Sequence, residues 1–187
     1  MSGDDKLNSG LEGSLPASGP PGPGPLQPDE AYPIRITRDG TWLHEGAPIR
    51  RMALVKLFAS VLRRDDAGEY WLITPAERGR ILVEDAPFVA VELAATGQGE
   101  DQELAFRTNL DDWVTAGPDH PIRMEASPVT GEPVPYILIK DGIEARLSRP
   151  VYYELVERGV ADDQKGEAEF GIWSRRTFFP LGTLSDA

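Results

Sequence analysis

Hydrophobic and polar residues follow the same pattern in two distant stretches of the chain. In each stretch an alternating run leads to an Asp-Gly pair, and a second run follows. Gly40 and Gly142 are 102 residues apart, and Pro48 and Pro150 share that offset. Alternation predicts half-buried strands, and Asp-Gly supplies the positive φ of a tight hairpin turn. We therefore predict a unit of strand, turn, strand, helix and strand that occurs twice.

Helix signals and short alternating runs define the other expected elements. A helix is predicted at 48–62, with Pro48 in the first helical position, and a second at 150–158. The capping-box sequence at 74–77 predicts a short helix that Gly79 ends. Strands are expected at 33–36, 41–44, 69–73, 80–84, 88–94, 103–108, 113–115, 122–125, 136–140, 143–147 and 168–174. The fold class is therefore α+β, mainly antiparallel, with a barrel-like C-terminal part.

The first 31 residues are predicted to be a disordered tail. Nine of the thirteen residues in 16–28 are Pro or Gly, and such a segment buries no apolar surface that could offset its ordering entropy. The rest of the chain suits one domain or two small ones. We place an N-terminal α+β domain at 32–79 and a C-terminal β-barrel-like domain with one helix at 80–187.

Composition excludes several classes of function. The chain has 187 residues, no cysteine and a formal net charge of −12. The absence of cysteine excludes thiolate nucleophiles and iron–sulfur clusters, and the acidic charge disfavours nucleic acid as a partner. No apolar run approaches the ~20 residues of a membrane helix, and the start lacks a secretory signal, so we expect a cytoplasmic protein without membrane contact. Neither a cofactor motif nor a metal-site motif is present, so none is expected.

The first predicted helix carries arginines where a helix disfavours cations. Arg51 projects into the apolar arc that includes Leu54 and Phe58, and Arg50 lies near its edge. Both arginines are in the first turn, at the positive end of the helix dipole. We expect Arg51 to be buried at the boundary between the two parts. Its partner would be either a protein carboxylate or an anionic ligand.

Two further groups of polar residues are candidates for a site. His120 with Asp111 could act as a general base, although an ordinary structural hydrogen bond is the better explanation of the histidine. Thr108 and Asn109 lie at a strand end, where they could bond a base or a sugar or cap a turn.

Seven stretches, taken in order, are distinctive. They are 39–44 (DGTWLH), 48–58 (PIRRMALVKLF), 72–77 (LITPAE), 83–88 (VEDAPF), 106–109 (FRTN), 120–121 (HP) and 135–136 (PY). Through them the chain, from Tyr32 to Gly182, resembles a bacterial family of unknown function, domain of unknown function 1285. The resemblance implies a two-part fold with repeated units and a C-terminal part superficially like a pleckstrin-homology domain. It also implies a ligand site at the domain interface, a nucleotide-like ligand and a role in signalling.

These observations predict a ligand-binding or regulatory protein without catalysis. An anionic or nucleotide-like molecule would meet Arg51 between the two units. Thr108, Asn109, His120 and Tyr136 would supply polar and stacking contacts. A small hydrolase or transferase built on His120 and Asp111 is one alternative, and a protein-interaction module is the other.

Deletion of residues 1–28 should leave the melting temperature almost unchanged, because the Pro/Gly composition offers no core contacts. Differential scanning calorimetry of the full and shortened chains measures this directly. A loss of several degrees would show that the tail packs on the folded part.

Overall fold

The computed structural model describes residues 31–162 and 169–183. Residues 1–30 of the predicted tail lie outside this range. The N-terminal part forms a six-stranded sheet in the order β3-β2-β1-β6-β5-β4, with one helix. Its elements are β1 (Ala31–Ile36), β2 (Trp42–His44), β3 (Ala47–Pro48), α1 (Met52–Ser60), β4 (Leu62–Arg64), β5 (Tyr70–Ile73) and β6 (Arg78–Val83).

The C-terminal part contains two sheets and the second helix. A six-stranded sheet has the order β10-β11-β12-β7-β8-β9, and a three-stranded sheet has the order β13-β14-β15. The elements are β7 (Phe88–Thr96), β8 (Glu103–Thr108), β9 (Trp113–Thr115), β10 (Ile122–Ala126), β11 (Pro133–Lys140), β12 (Ile143–Leu147), α2 (Arg149–Glu157), β13 (Val160–Asp162), β14 (Glu169–Ser174) and β15 (Thr177–Thr183).

The predicted α+β class with mainly antiparallel strands is confirmed. Among the described strands, only the pairs β1–β6 and β7–β12 are parallel. Alternation along the strands buries one face of each sheet. Ile36 and Leu62 from the N-terminal part and Phe106 and Ile137 from the C-terminal part are fully buried in one continuous apolar core. The two parts therefore share their hydrophobic stabilisation.

The two predicted units share the hairpin followed by a helix, but their prolines lie in different kinds of element. Gly40 and Gly142 both lie in hairpin turns with positive φ, at 81° and 75°, and each hairpin leads to a nine-residue helix. Pro150 lies in the first turn of α2, whereas Pro48 is in β3 and pairs with Leu43. The prediction that Pro48 begins a helix is wrong, because an edge strand tolerates the missing N–H of proline.

The predicted helix after β5 is also wrong. Thr74 Oγ1 does accept a hydrogen bond from Glu77 N at 3.1 Å, as in a capping box, but Thr74 N also donates to Glu77 O at 2.9 Å. These bonds close a turn between two antiparallel strands. Gly79 is a residue of β6, where a Cβ would lie 2.4 Å from the Tyr32 ring. The last strand of the N-terminal sheet thus ends at Val83.

Each Asp-Gly turn accepts a hydrogen bond from a side chain of the opposite part of the protein. Asn109 Nδ2, at the end of β8, donates to Gly40 O at 3.1 Å, and Asn109 Oδ1 accepts from Val89 N at 3.0 Å. In return, Arg64 Nη1 of β4 donates to Gly142 O at 3.1 Å. We call these two turn contacts the seam. They fix the turn of each part against the sheet of the other.

Gly40→Ala should destabilise the protein more than Gly46→Ala. Both glycines have φ of +81°, so each alanine costs about 1 kcal/mol in backbone strain. A Cβ at Gly40 would lie 2.6 Å from Asn109 Nδ2, whereas a Cβ at Gly46 meets nothing within 4 Å. The clash should cost roughly 1–3 kcal/mol more. Urea unfolding of both variants measures the difference, and equal losses would show that the seam is not a close contact.

Candidate functional site

A cavity of about 380 Å³ lies where the first Asp-Gly turn meets the start of α2. Arg38 reaches it from the turn between β1 and β2, and Arg146 reaches it from β12. Arg149, Tyr152 and Tyr153 line it from α2. The loop between β10 and β11, the start of β11 and the end of β12 form the remaining wall. The volume is that of a small-molecule site, and both parts of the protein contribute to it.

Arg146 is held in place by a carboxylate between the two sheets. Its Nη1 lies 2.8 Å from Asp85 Oδ2, and Tyr136 Oη donates to Asp85 Oδ1 at 2.7 Å. Burial and the bond to Asp85 raise the pKa of Tyr136, so its hydroxyl stays protonated and continues to donate. Arg123 stacks on the Tyr136 ring at 4.7 Å. Arg146 is thus oriented, but its charge is largely neutralised by Asp85.

Arg38 and Arg149 supply charge that no carboxylate of the described residues balances. Neither guanidinium has a hydrogen bond or an ion pair to any other described residue, and both residues are exposed at the cavity. Only the backbone of Arg38 is bound, with its N–H donating to Glu84 Oε2 at 3.1 Å. One acid, Glu132, belongs to the described lining. Two free guanidinium groups against one carboxylate leave the cavity cationic.

The start of α2 adds to this positive character. Its N-cap is Ser148, which makes no side-chain capping bond, and the first turn contains no acidic residue. The N–H groups of Arg149 and Val151 have no partner within a helix that starts here, and Pro150 has no N–H. The helix dipole points its positive end at the same place. Arginine in this turn is unfavourable unless an anion is nearby.

The cavity can bind an anion and a flat apolar group together. The rings of Tyr152 and Tyr153 lie 6.2 Å apart at an angle of 32°, beside the two unpaired arginines. Among the described residues that line it, there is no histidine, and the hydroxyl of Thr130 donates to Glu132 Oε2 at 3.3 Å within the exposed loop between β10 and β11. Guanidinium groups beside aromatic rings suit a ligand that carries both an anionic and a flat apolar group.

The expectation that Arg51 is buried is wrong. Arg51 is the N-cap of α1 and is exposed, and its guanidinium has no partner in the described part of the chain. The physical reason is that α1 begins only at Met52, so Arg51 precedes the apolar arc instead of lying within it.

Thr108 and His120 do come together, in a second cavity of about 240 Å³ that Asp112 and Arg175 also line. Thr108 Oγ1 accepts from Leu110 N at 3.2 Å, and His120 Nδ1 lies 3.0 Å from Leu138 O. A bond to a carbonyl places the proton of a neutral imidazole on Nδ1. Both side chains thus already have structural roles.

The remaining predicted residues lie elsewhere. Asn109 belongs to the seam, and Tyr136 positions Asp85 behind the larger cavity. Asp111 pairs with Arg107 at 3.0 Å and with Lys56 at 3.5 Å. His120 and Asp111 form no pair in the structure, so the geometry gives no support to a hydrolase built on them.

The arginines and tyrosines of the larger cavity were not among the predicted site residues. The one feature of the sequence that indicated this site is the start of the second helix, which has an arginine and no acidic residue. Nothing in the sequence around Arg38 indicated a site, because its position near α2 depends on how the two parts pack together. Among the described residues, no group of three or more potential metal-ligating side chains occurs. No described helix is long and apolar enough to cross a membrane.

The fold and the cavity together define a two-part α+β protein with a cationic cleft between its parts. The chain belongs to the DUF1285 family. The family's N-terminal domain of unknown function matches residues 26–86, and its C-terminal domain, described as a protein of unknown function, matches residues 87–181. The resemblance seen in the sequence is thereby confirmed.

Two solved structures resemble this chain. A DUF1285 family protein from Silicibacter pomeroyi DSS-3 is 43% identical, with a TM-score of 0.79 over 88% of this chain and 90% of that one. A DUF1285 family protein from Shewanella baltica OS155 is 29% identical, with a TM-score of 0.54 over 68% of this chain and 92% of that one. No curated protein matches the chain.

Proposed function

We propose that this protein is a non-catalytic, regulatory ligand-binding protein whose cleft holds a small organic anion. The observation that carries the proposal is the pair Arg38 and Arg149, which face one cavity from two different parts and lack carboxylate partners among the described residues. Guanidinium groups bind carboxylates and phosphates through paired, charge-assisted hydrogen bonds. An anion there would offset two like charges and the uncapped start of α2.

A nucleotide-like ligand fits this cavity better than an inorganic anion alone. A phosphate would meet the two arginines, and a base or another flat group would pack against Tyr152 and Tyr153. Aromatic side chains next to cationic ones are suited to such mixed ligands. Tyr136 contributes by holding Asp85 and thereby Arg146.

The other residues that the sequence predicted as ligand contacts lie outside this cavity. Thr108, Asn109 and His120 lie at the seam and at the second cavity, and Arg51 lies at the start of α1. The proposed regulatory role is signalling, as the family resemblance implies, through a ligand that bridges the two parts. A pleckstrin-like C-terminal part remains an expectation of that resemblance, and ligand binding does not depend on it.

Adenosine monophosphate or pyrophosphate should raise the melting temperature of the full chain. A ligand at 100 times its dissociation constant adds about 2.7 kcal/mol, which is about 5–10 °C for a chain of this size. Arg38→Gln and Arg149→Gln should each remove most of the shift. Neither should lower the melting temperature of the free protein, because neither side chain has a partner to lose among the described residues. A thermal-shift assay with isothermal titration calorimetry measures both effects.

Arg158→Gln is the matched control, because Arg158 is the C-cap of the same helix, pairs with Glu154 at 3.1 Å and does not line the cavity. It should keep the full ligand shift. The proposal fails if no anion stabilises the protein, or if Arg158→Gln reduces binding as much as Arg38→Gln.

A further inference from the structure

The inner face of the N-terminal sheet is only partly covered by α1. Two cavities of about 350 and 230 Å³ remain beside the helix. His44 and Phe58 line both of them, so the cavities adjoin. We call the combined depression the α1 groove. It lies in the N-terminal part alone and shares no lining residue with the cationic cleft.

The lining of the α1 groove is mainly apolar. Ile49 and Leu54 line the cavity near the start of α1, and Ile34, Val61 and Leu72 line the other. Ile34 and Leu72 are buried core residues that form its floor. A lining of this kind excludes ordered water and favours a hydrocarbon group.

The two ends of the groove differ in charge. Arg50 and Arg51 directly follow the lining residue Ile49, and Arg51 is the N-cap of α1, whose carbonyl accepts a hydrogen bond from Leu54 N at 2.9 Å. No other described residue makes a hydrogen bond or an ion pair with either guanidinium. At the far end the groove is lined by Thr74 and by Glu77, whose carboxylate is exposed. Along the groove, a cationic end is thus followed by an apolar middle and then by an anionic end.

We propose that the α1 groove binds an amphiphilic anion, an unbranched alkyl carboxylate. The carboxylate meets Arg51, with Arg50 beside it, and the alkyl chain passes Phe58 and His44 toward Leu72. Charge complementarity sets this direction, because a guanidinium without a partner is offset by a carboxylate. Glu77 selects against a second carboxylate at the far end of the chain, because like charges repel. This site is independent of the cleft proposed above and takes a different class of ligand.

Isothermal titration calorimetry of the full chain with decanoate tests the proposal. Decanoate should bind, whereas decanedioate and decyltrimethylammonium should bind at least about tenfold more weakly. Arg51→Gln should weaken decanoate binding about tenfold or more, since one charge-assisted contact is lost. Leu54→Gln should weaken it as well, because it places a polar group in the apolar lining.

Two matched variants separate the groove from its surroundings. Leu57 is on the same helix, is 59% exposed and does not line the groove, so Leu57→Gln should bind decanoate normally. Arg38→Gln removes an equally unpaired arginine from the cleft and should also bind decanoate normally, while losing adenosine monophosphate. Circular dichroism verifies that each variant is folded. The proposal is overturned if decanoate does not bind, if the cationic amphiphile binds as tightly, or if Arg38→Gln and Arg51→Gln weaken decanoate equally.

Discussion

Across the apolar core that the two parts share, each part donates a side-chain hydrogen bond to the carbonyl group of a turn glycine in the other. Asn109 donates to Gly40 O and Arg64 donates to Gly142 O, each at 3.1 Å. Both glycines have positive φ, which other residues adopt only with strain. Because each donor belongs to the opposite part, the seam fixes both turns at once. It also sets where Arg38, two residues before Gly40, stands relative to α2.

The unpaired arginines are informative because carboxylates are abundant in this chain. The chain has 31 acidic and 19 basic residues, so there are enough carboxylates to pair with every basic side chain. Arg107, Arg123 and Arg146 each form an ion pair with one. Arg38 and Arg149 remain unpaired in the described part of the chain and face the same cavity. In the proposed function, a bound anion supplies their counter-charge. The same reasoning at the α1 groove gives a different ligand, because there the neighbouring surface is apolar.

The local structure of the turns and of α2 was predictable from the sequence, whereas the packing of the two parts against each other was not. Both Asp-Gly turns and α2 formed where expected, because positive φ and proline in a first helical turn are local constraints. Pro48 was misread because its pairing with Leu43 in β3 overrides the helix signal. Arg51 was misplaced because α1 starts later than its periodicity suggests. A site between the two parts was expected, but its lining could not be predicted, since Arg38 and Arg149 line the same cavity only after the two parts pack together.

The central claim is that one anion contacts both parts of the protein across the cleft. A titration of ¹⁵N-labelled protein with pyrophosphate, followed by NMR, tests it most directly. The side-chain Nε–H signals of Arg38 and Arg149 should shift together and give the same dissociation constant, while that of Arg158 stays in place. Shifts confined to one part, or two different dissociation constants for Arg38 and Arg149, would contradict a shared site.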